Sequence, residues 1–381
     1  MDMVITESQQ NWRDLARDFA KRKLEPATEW LEGEQFWDNA TKLADHGFLG
    51  LTLPEEYGGM NLNLFDALLI IEELCRVCPT SGRHAYHASM GIASFINHLG
   101  NEEQKKRYLP LVTSGKLFVS LGMSEPEAGS AATDITTTAV EDGKHYRLNG
   151  SKVFISDAHL ADLFVVYARF GNTGRTSDIG AILVERGTPG FTIGPNEENM
   201  SGEIQCALYF EDAMVPKENV LVTENAFKKL MGVYNGVRLG FLSQTLGITQ
   251  AAFDRTIEHV NQRKQFGKEI AEFQGVQWMV SDMYVQLETA RTILYRAGEA
   301  ASDNKPDKNA VSVAKIFVAE AAQKITDTCI QLHGGYGFSK QYPLEWYYRC
   351  VRAASIAGGT LQVHKNMLAS SVLDRKISQR K

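Results

Sequence analysis

Cysteine is scarce in this chain, and the few present form no obvious set of pairs. Cys75, Cys78, Cys206, Cys329 and Cys350 are the only five in 381 residues. An odd, scattered set excludes a disulfide-stapled secreted scaffold and points to reduced thiols in the cytoplasm. Cys75 and Cys78 have the CxxC spacing of zinc or redox sites, but no second CxxC accompanies them. They lie in DALLIIEELCRVCP, where the apolar spacing is helical, and the other reading is a pair of buried thiols acting as small apolar residues. No metal site is assigned. Long apolar runs are also missing: none reaches the roughly 18 residues of a membrane span. The N-terminal MDMVITESQQNWRDLARDFA is charged and amphipathic, without a secretory apolar core. Nor is there charge of one sign. Lys plus Arg total 40 against 46 Asp plus Glu, a formal net charge of −6, which offers no electrostatic case for nucleic acid or an anionic membrane. Finally, no GxGxxG follows an early strand and no βαβ alternation appears, which disfavours a Rossmann fold.

Three zones are present instead. Residues 1–118 read as an N-terminal α-helical domain, with 3.6-type spacing in DALLIIEELCRV and NEEQKKRYLPLVTSG. Asn101 followed by Gln104 is a capping-box signature. Residues 119–221 read as a middle β domain, a barrel or sandwich of short β-branched and aromatic runs such as DLFVVYARF and IGAILVER. Within it, KHYRLNGSKVFIS predicts a hairpin turning at Asn149-Gly150. Residues 222–381 return to helix. LGFLSQTLGITQAAFDRTIEHVNQRKQFG predicts one long helix ending near Gly267, a second and third follow, Gly334-Gly335 stops the third, and a fourth follows Pro343. Four helices in series predict an antiparallel four-helix bundle. The fold class is therefore α+β, in the order α–β–α.

Five segments carry more than secondary structure: GMSEPEAGSAATDITTTA (122–139), NGSKVFIS (149–156), FEDAMVPKENVL (210–221), RKQFGKEIAEFQGVQ (263–277) and QLHGGYGF (331–338). In content, order and spacing the chain resembles the acyl-CoA dehydrogenases over essentially its whole length. The resemblance implies FAD held between the β domain and the C-terminal bundle, in a homo-oligomer (a tetramer or dimer). It implies an acyl thioester substrate, on CoA or a carrier protein, and an electron-transfer flavoprotein as the acceptor for a dehydrogenase. It places Leu121, Ser124, Phe154 and Ser156 against the flavin, and Ser130 near the pyrophosphate and the thioester ligand. Phe154 stands where the family prefers Trp; read without the family it is a core strand residue. Arg263, Phe266 and Gln274 match positions that reach the FAD of a neighbouring subunit, where a planar guanidinium fork suits a pyrophosphate. Gln331, Gly334 and Gly335 match the loop passing the adenylate half, and Thr360 and Gln362 match the closing contacts on the same cofactor.

The same resemblance exposes a missing part. Family chemistry uses a Glu carboxylate to take the α-proton. The commoner position, counted along RCVRAASIAGGT, is Gly358; the other, before Arg238 in NGVRLG, is Val237. Neither accepts a proton. Gly358 keeps a backbone N–H that can polarise a thioester carbonyl, an oxyanion-type contact. Asn235 and Arg238 are carried over as substrate-side residues. Ala131 and Cys350 stand where Asp is common, and NMSGEIQCALYFED is shorter than its counterpart and lacks Arg-x-Ser. The loop SGRHAYHASMG (81–91) offers His84 and His87 as replacement bases, or simply as satisfied histidines, and Arg83 as a partner for a polar acyl group. The expected function is an FAD-dependent dehydrogenase oxidising an atypical short or polar acyl thioester, for example hydroxyacyl or aminoacyl. A flavin monooxygenase on the same fold and a non-catalytic flavin-binding paralogue are the alternatives.

Overall fold

The structure is a computed structural model and describes residues 5–24, 27–301, 304–375 and 377. Six helices come first: α1 (Glu7–Lys23), α2 (Gly33–Asp45), α3 (Leu64–Val77), α4 (Pro79–Ala88), α5 (Ala93–Leu99) and α6 (Glu102–Thr113). Local chemistry starts several of them. Thr6 and Gln9 form a capping box on α1, and Asn101 and Gln104 form the expected one on α6. Nine strands follow: β1 (Val119–Gly122), β2 (Thr138–Asp142), β3 (His145–Ser156), β4 (Leu163–Arg169), β5 (Ile179–Glu185), β6 (Phe191–Ile193), β7 (Glu197–Glu198), β8 (Ile204–Pro216) and β9 (Val220–Val222). Then come α7 (Ala226–Gln262), the hairpin β10 (Lys264–Gln265) and β11 (Lys268–Glu269), α8 (Gln274–Glu299), α9 (Lys308–His333), α10 (Gly335–Phe338), α11 (Leu344–Arg352) and α12 (Leu361–Val372). No helix among the described residues is long and apolar enough to cross a membrane.

By its contacts the chain divides into two units, one of Met1–Asn39, Asn63–Tyr86 and Asn235–Lys381, the other of Ala40–Leu62 and His87–Tyr234. In the first, α3 is pinned by its buried acids. Glu73 accepts from Arg13 and Arg17 of α1, and Glu72 accepts from Arg291 and Tyr295 of α8. Gly247 lets α7 come down on α3: a Cβ there would lie 2.3 Å from the Glu72 carbonyl oxygen. The CxxC cysteines are buried in and just after α3, where Cys75 backs onto Gly82 and Cys78 meets the Ser81 hydroxyl at 3.1 Å.

The second unit carries a nine-stranded sheet with the path β6-β8-β3-β2-β4-β5-β9, β1 pairing parallel with β4 and β7 antiparallel with β8. Leu163 to Ala168 and Ala181 to Val184 have no exposed surface, so β4 and β5 form its core.

The structure differs from the sequence expectation at four places. Asn149-Gly150 is not a hairpin turn. β3 runs straight through it as a bulge between the Leu148–Ala213 and Gly150–Phe210 pairs, with Asn149 donating to Asp212. The turn is two residues long, Gly143-Lys144, with Gly143 at φ +59. The long helix stops at Gln262 rather than near Gly267, because Phe266 (φ +53) and Gly267 (φ +82) form the left-handed tip of the β10–β11 hairpin. The fourth bundle helix is two helices, α11 and α12, broken at Gly358 (φ +74) and Gly359 (φ +97). Residues 81–88, read as loop, belong to α4.

Candidate cofactor and thioester site

The break between α11 and α12 gathers side chains from three helices. Thr360 caps α12, its hydroxyl accepting from Val363 N. Ahead of it, Arg238 of α7 donates from Nε to the Gly358 carbonyl at 2.7 Å and from Nη1 to Asn235 Oδ1 at 2.7 Å. His364, one turn into α12, places Nε2 3.2 Å from the same carbonyl oxygen and Nδ1 3.1 Å from Ser312 Oγ of α9. Lys315 of α9 has no exposed surface; its Nζ donates to the Ala357 carbonyl at 2.5 Å and lies 5.2 Å from the Phe241 ring centroid. A Cβ on Gly358 would sit 3.6 Å from Lys315 Nζ and 3.5 Å from Arg238 Cγ, so the glycine faces both basic side chains. Burial, and then the Arg238 charge, lower the pKa of Lys315 to about 7 and of His364 to about 4. His364 is thus neutral at pH 7. Among the described residues no carboxylate forms an ion pair with Lys315.

Below this corner a cleft of about 580 Å³ is lined by Thr360, Gln362, Arg352, Gln323, Lys324 and Tyr348, among others. Arg352 Nη1 is buried there without a hydrogen-bond partner. A guanidinium N–H awaiting an acceptor, beside Thr360, Gln362 and Lys324, suits a phosphate oxygen. Glu320 and Asp327 also line the cleft, so its charge is mixed; Glu320 is paired with Lys365.

The remaining expected residues of this unit lie on its surface at the α7–α8 and α9–α10 corners. Exposed Arg263 has its guanidinium carbon 6.0 Å from the Tyr336 ring centroid, Phe266 is 94% exposed, and Gln274 starts α8. Gln331 near the end of α9 and Gly334 and Gly335 just after it are exposed; Gly334 has φ +59, and no atom lies within 4 Å of a Cβ built on either glycine. Such an open glycine corner lets backbone amides approach a ligand.

In the other unit, Leu121 and Ser124 are half-buried at and just beyond the end of β1, and the Ser124 carbonyl accepts from Val153 N. Ser156 is half-buried and Ser130 exposed. Phe154 is no core residue: it is 71% exposed at φ +60. A bulky side chain held at positive φ is a strained arrangement, and it turns the ring outward as a free aromatic wall. The segment is anchored by Glu125, which takes the buried Lys152 ammonium at 2.7 Å and the amides of Thr136 and Thr137.

The proposed replacement bases fare differently. His84 is buried and stacked on Phe36 with centroids 5.0 Å apart, and burial lowers its pKa to about 4. A base that weak is poorly matched to neutral pH. His87 lies in the other unit, with Nδ1 4.0 Å from Asp157 Oδ2. Arg83 is buried over Trp30, at 5.0 Å from the ring centroid.

Comparison with known proteins gives these features a family. Residues 6–116, 120–213 and 227–373 match the models for the N-terminal, middle and C-terminal domains of acyl-CoA dehydrogenase. The chain belongs to the acyl-CoA dehydrogenase family. It is 36% identical to a short-chain-specific acyl-CoA dehydrogenase of Clostridium acetobutylicum, over 98% of this chain and 100% of that one. It is 37% identical to a 3-sulfinopropanoyl-CoA desulfinase of Advenella mimigardefordensis, over 98% and 96%. Among solved structures, the FAD complex of PigA superposes with a TM-score of 0.90 at 25% identity, covering 98% of this chain and 99% of that one. This acyl-CoA dehydrogenase family member is thus a flavin-dependent oxidoreductase with FAD as its cofactor. The open Gly334-Gly335 corner, the buried Arg352 N–H and the outward Phe154 ring fit such a group. Arg352, Lys315 and His364 escaped sequence reading, because each sits in an unremarked helical pattern.

Proposed function

We propose that this protein acts on a short, polar acyl thioester, carried by CoA or by an acyl or peptidyl carrier protein, without a carboxylate base. One observation carries the reading: Gly358, where the family pattern has Glu, faces Arg238 and Lys315 instead of presenting an acid. The desulfinase relative, which by its name acts on 3-sulfinopropanoyl-CoA, supports a short charged acyl group.

The chain's own residues divide the work as follows. FAD, when bound, supplies the acceptor for a hydride from the acyl chain. In the first unit, Thr360, Gln362, Arg352, Gln331, Gly334 and Gly335 are the residues suited to hold it; in the second, Ser124, Phe154 and Ser156 are. The Gly358 N–H polarises the thioester carbonyl, and Arg238 fixes that peptide by holding the Gly358 carbonyl. One such hydrogen-bond donor to a developing oxyanion is typically worth several kcal/mol, so peptide orientation matters more here than in a site with its own base. The exposed Arg263, Phe266 and Gln274 serve the cofactor of a second copy in a homo-oligomer, and an electron-transfer flavoprotein takes the electrons from an oxidation.

The test is anaerobic reduction of the bound flavin by a panel of CoA and carrier-protein thioesters. Bleaching by hydroxyacyl, aminoacyl or acidic short-chain thioesters, with little by butyryl-CoA, is expected. Fast bleaching by butyryl-CoA would remove the case for an atypical substrate. No bleaching by any thioester would remove the dehydrogenase reading.

A further inference from the structure

The Gly358 N–H and the Ala357 carbonyl are two ends of one peptide. In a planar trans peptide they point in opposite directions, so whatever grips the Ala357 carbonyl also aims the Gly358 N–H. Lys315 does the gripping. Its Nζ donates to that carbonyl at 2.5 Å, from α9 and with no exposed surface. The carbonyl on the far side, that of Gly358 itself, accepts from Arg238 Nε at 2.7 Å and has His364 Nε2 at 3.2 Å. Among the described residues the Gly358 N–H donates to no protein acceptor, and Gly358 is partly exposed. Backbone preference does not fix this peptide. Gly358 and Gly359 both sit at positive φ, +74 and +97, and glycine turns either way at little cost. Burying an ammonium is costly, by several kcal/mol, and here its hydrogen bond goes to a single backbone carbonyl.

We propose that Lys315 is a positioning residue for the thioester chemistry: its ammonium holds the Ala357 carbonyl so that the Gly358 N–H of the same peptide points at the thioester carbonyl and is strengthened as a donor. This deepens the thioester reading and rests on it. The strengthening follows because a charged donor on the peptide oxygen draws electron density from the peptide nitrogen, and hydrogen bonds in series polarise one another. The ammonium does this better than the neutral amine. The two forms exchange near neutrality, since burial and then the Arg238 charge bring the Lys315 pKa down to about 7. The charged and titratable groups facing Lys315 are Arg238 of α7 and His364 of α12, and His364, with its pKa at about 4, stays neutral across that range.

Isotope-edited infrared spectroscopy of carbonyl-labelled acetyl-CoA on the FAD-loaded protein reads the polarisation directly. Acetyl-CoA has no β-carbon, so it cannot give a hydride to the flavin and stays intact. At about pH 6 the bound carbonyl band of the wild type is expected at lower frequency than that of free acetyl-CoA. As pH rises to about 8 and Lys315 loses its charge, the band moves back towards the free value. Lys315→Met keeps its flavin absorbance, loses most of the downshift and shows no pH dependence. Lys315→Gln, which retains a neutral donor, recovers part of the downshift and none of the pH dependence. The wild-type pH series decides the matter even if neither variant folds. A wild-type band that does not move between those pH values overturns the inference and leaves the thioester reading standing. So does a full downshift in flavin-loaded Lys315→Met. If acetyl-CoA does not bind, both fall together.

Discussion

Lys152 has no exposed surface, yet it ends on a carboxylate: its Nζ is 2.7 Å from Glu125 Oε1. Burial alone would raise the Glu125 pKa. The Lys152 charge and the amides of Thr136 and Thr137 outweigh it and hold the pKa at about 2, against 4.5 for an ordinary Glu. The group is depressed in the folded state, so its contribution is present above pH 4.5 and is lost as pH falls towards about 2, while burial holds the Lys152 pKa down at about 8 and offsets part of it at neutral pH. Lys152→Met strands the buried carboxylate. We expect a loss of about 3–5 kcal/mol and an acid-unfolding midpoint moved to higher pH, both read by circular dichroism. An unchanged midpoint would mean that the pair is not coupled to folding. Nothing around Lys152 in the sequence announces this, since a lysine between strand residues normally faces solvent. Gly358 shows the opposite case. Its importance could be read from the sequence because the pattern around it is contiguous. Its φ of +74 and its two cationic neighbours could not, because they depend on α7 and α9.

Helix α7 is the element on which two opposing effects can be weighed. Gly247 lies inside it, and Gly to Ala inside a helix normally gains up to about 1 kcal/mol of propensity. Here the added Cβ would lie 2.3 Å from the Glu72 carbonyl oxygen and 2.8 Å from Cys75 Cβ, both on α3. Backbone of a packed helix cannot step aside cheaply, and overpacking costs about 1–3 kcal/mol. The clash wins, so Gly247→Ala lowers Tm in a thermal melt; a raised Tm would show that α3 and α7 are less closely packed. Elements were legible where their signals are local. The box expected at Asn101 marks the start of α6 as the spacing implies, whereas the one at Thr6 that starts α1 emerges from the structure. Asn149-Gly150 misled because a turn dipeptide and a bulge require the same glycine. Thr137 atoms 2.6–2.9 Å from a Gly150 Cβ show that close approach, not chain reversal, requires it here.

At the scale of the molecule, the α7–α8 corner and α8 expose large apolar side chains: Phe266 at 94%, Trp278 at 63% and Val285 at 62%. Exposed apolar surface of this kind marks an association site. Phe266→Asp is expected to give a smaller species than the wild type in light scattering after size exclusion, and to weaken flavin retention. A wild-type monomer would remove this reading. The sequence by itself determined the α–β–α order, the family, the FAD cofactor and the absence of an acid at position 358. Those properties are written in hydrophobic period, capping residues and short contiguous segments, which need no long-range contact. Only the tertiary structure decided what replaces the acid. Arg238 reaches Gly358 across 120 positions of chain, and Lys315 reaches Ala357 across 42. Three helices must pack before those charges meet, and their burial, which lowers the Lys315 pKa, arises only from that packing.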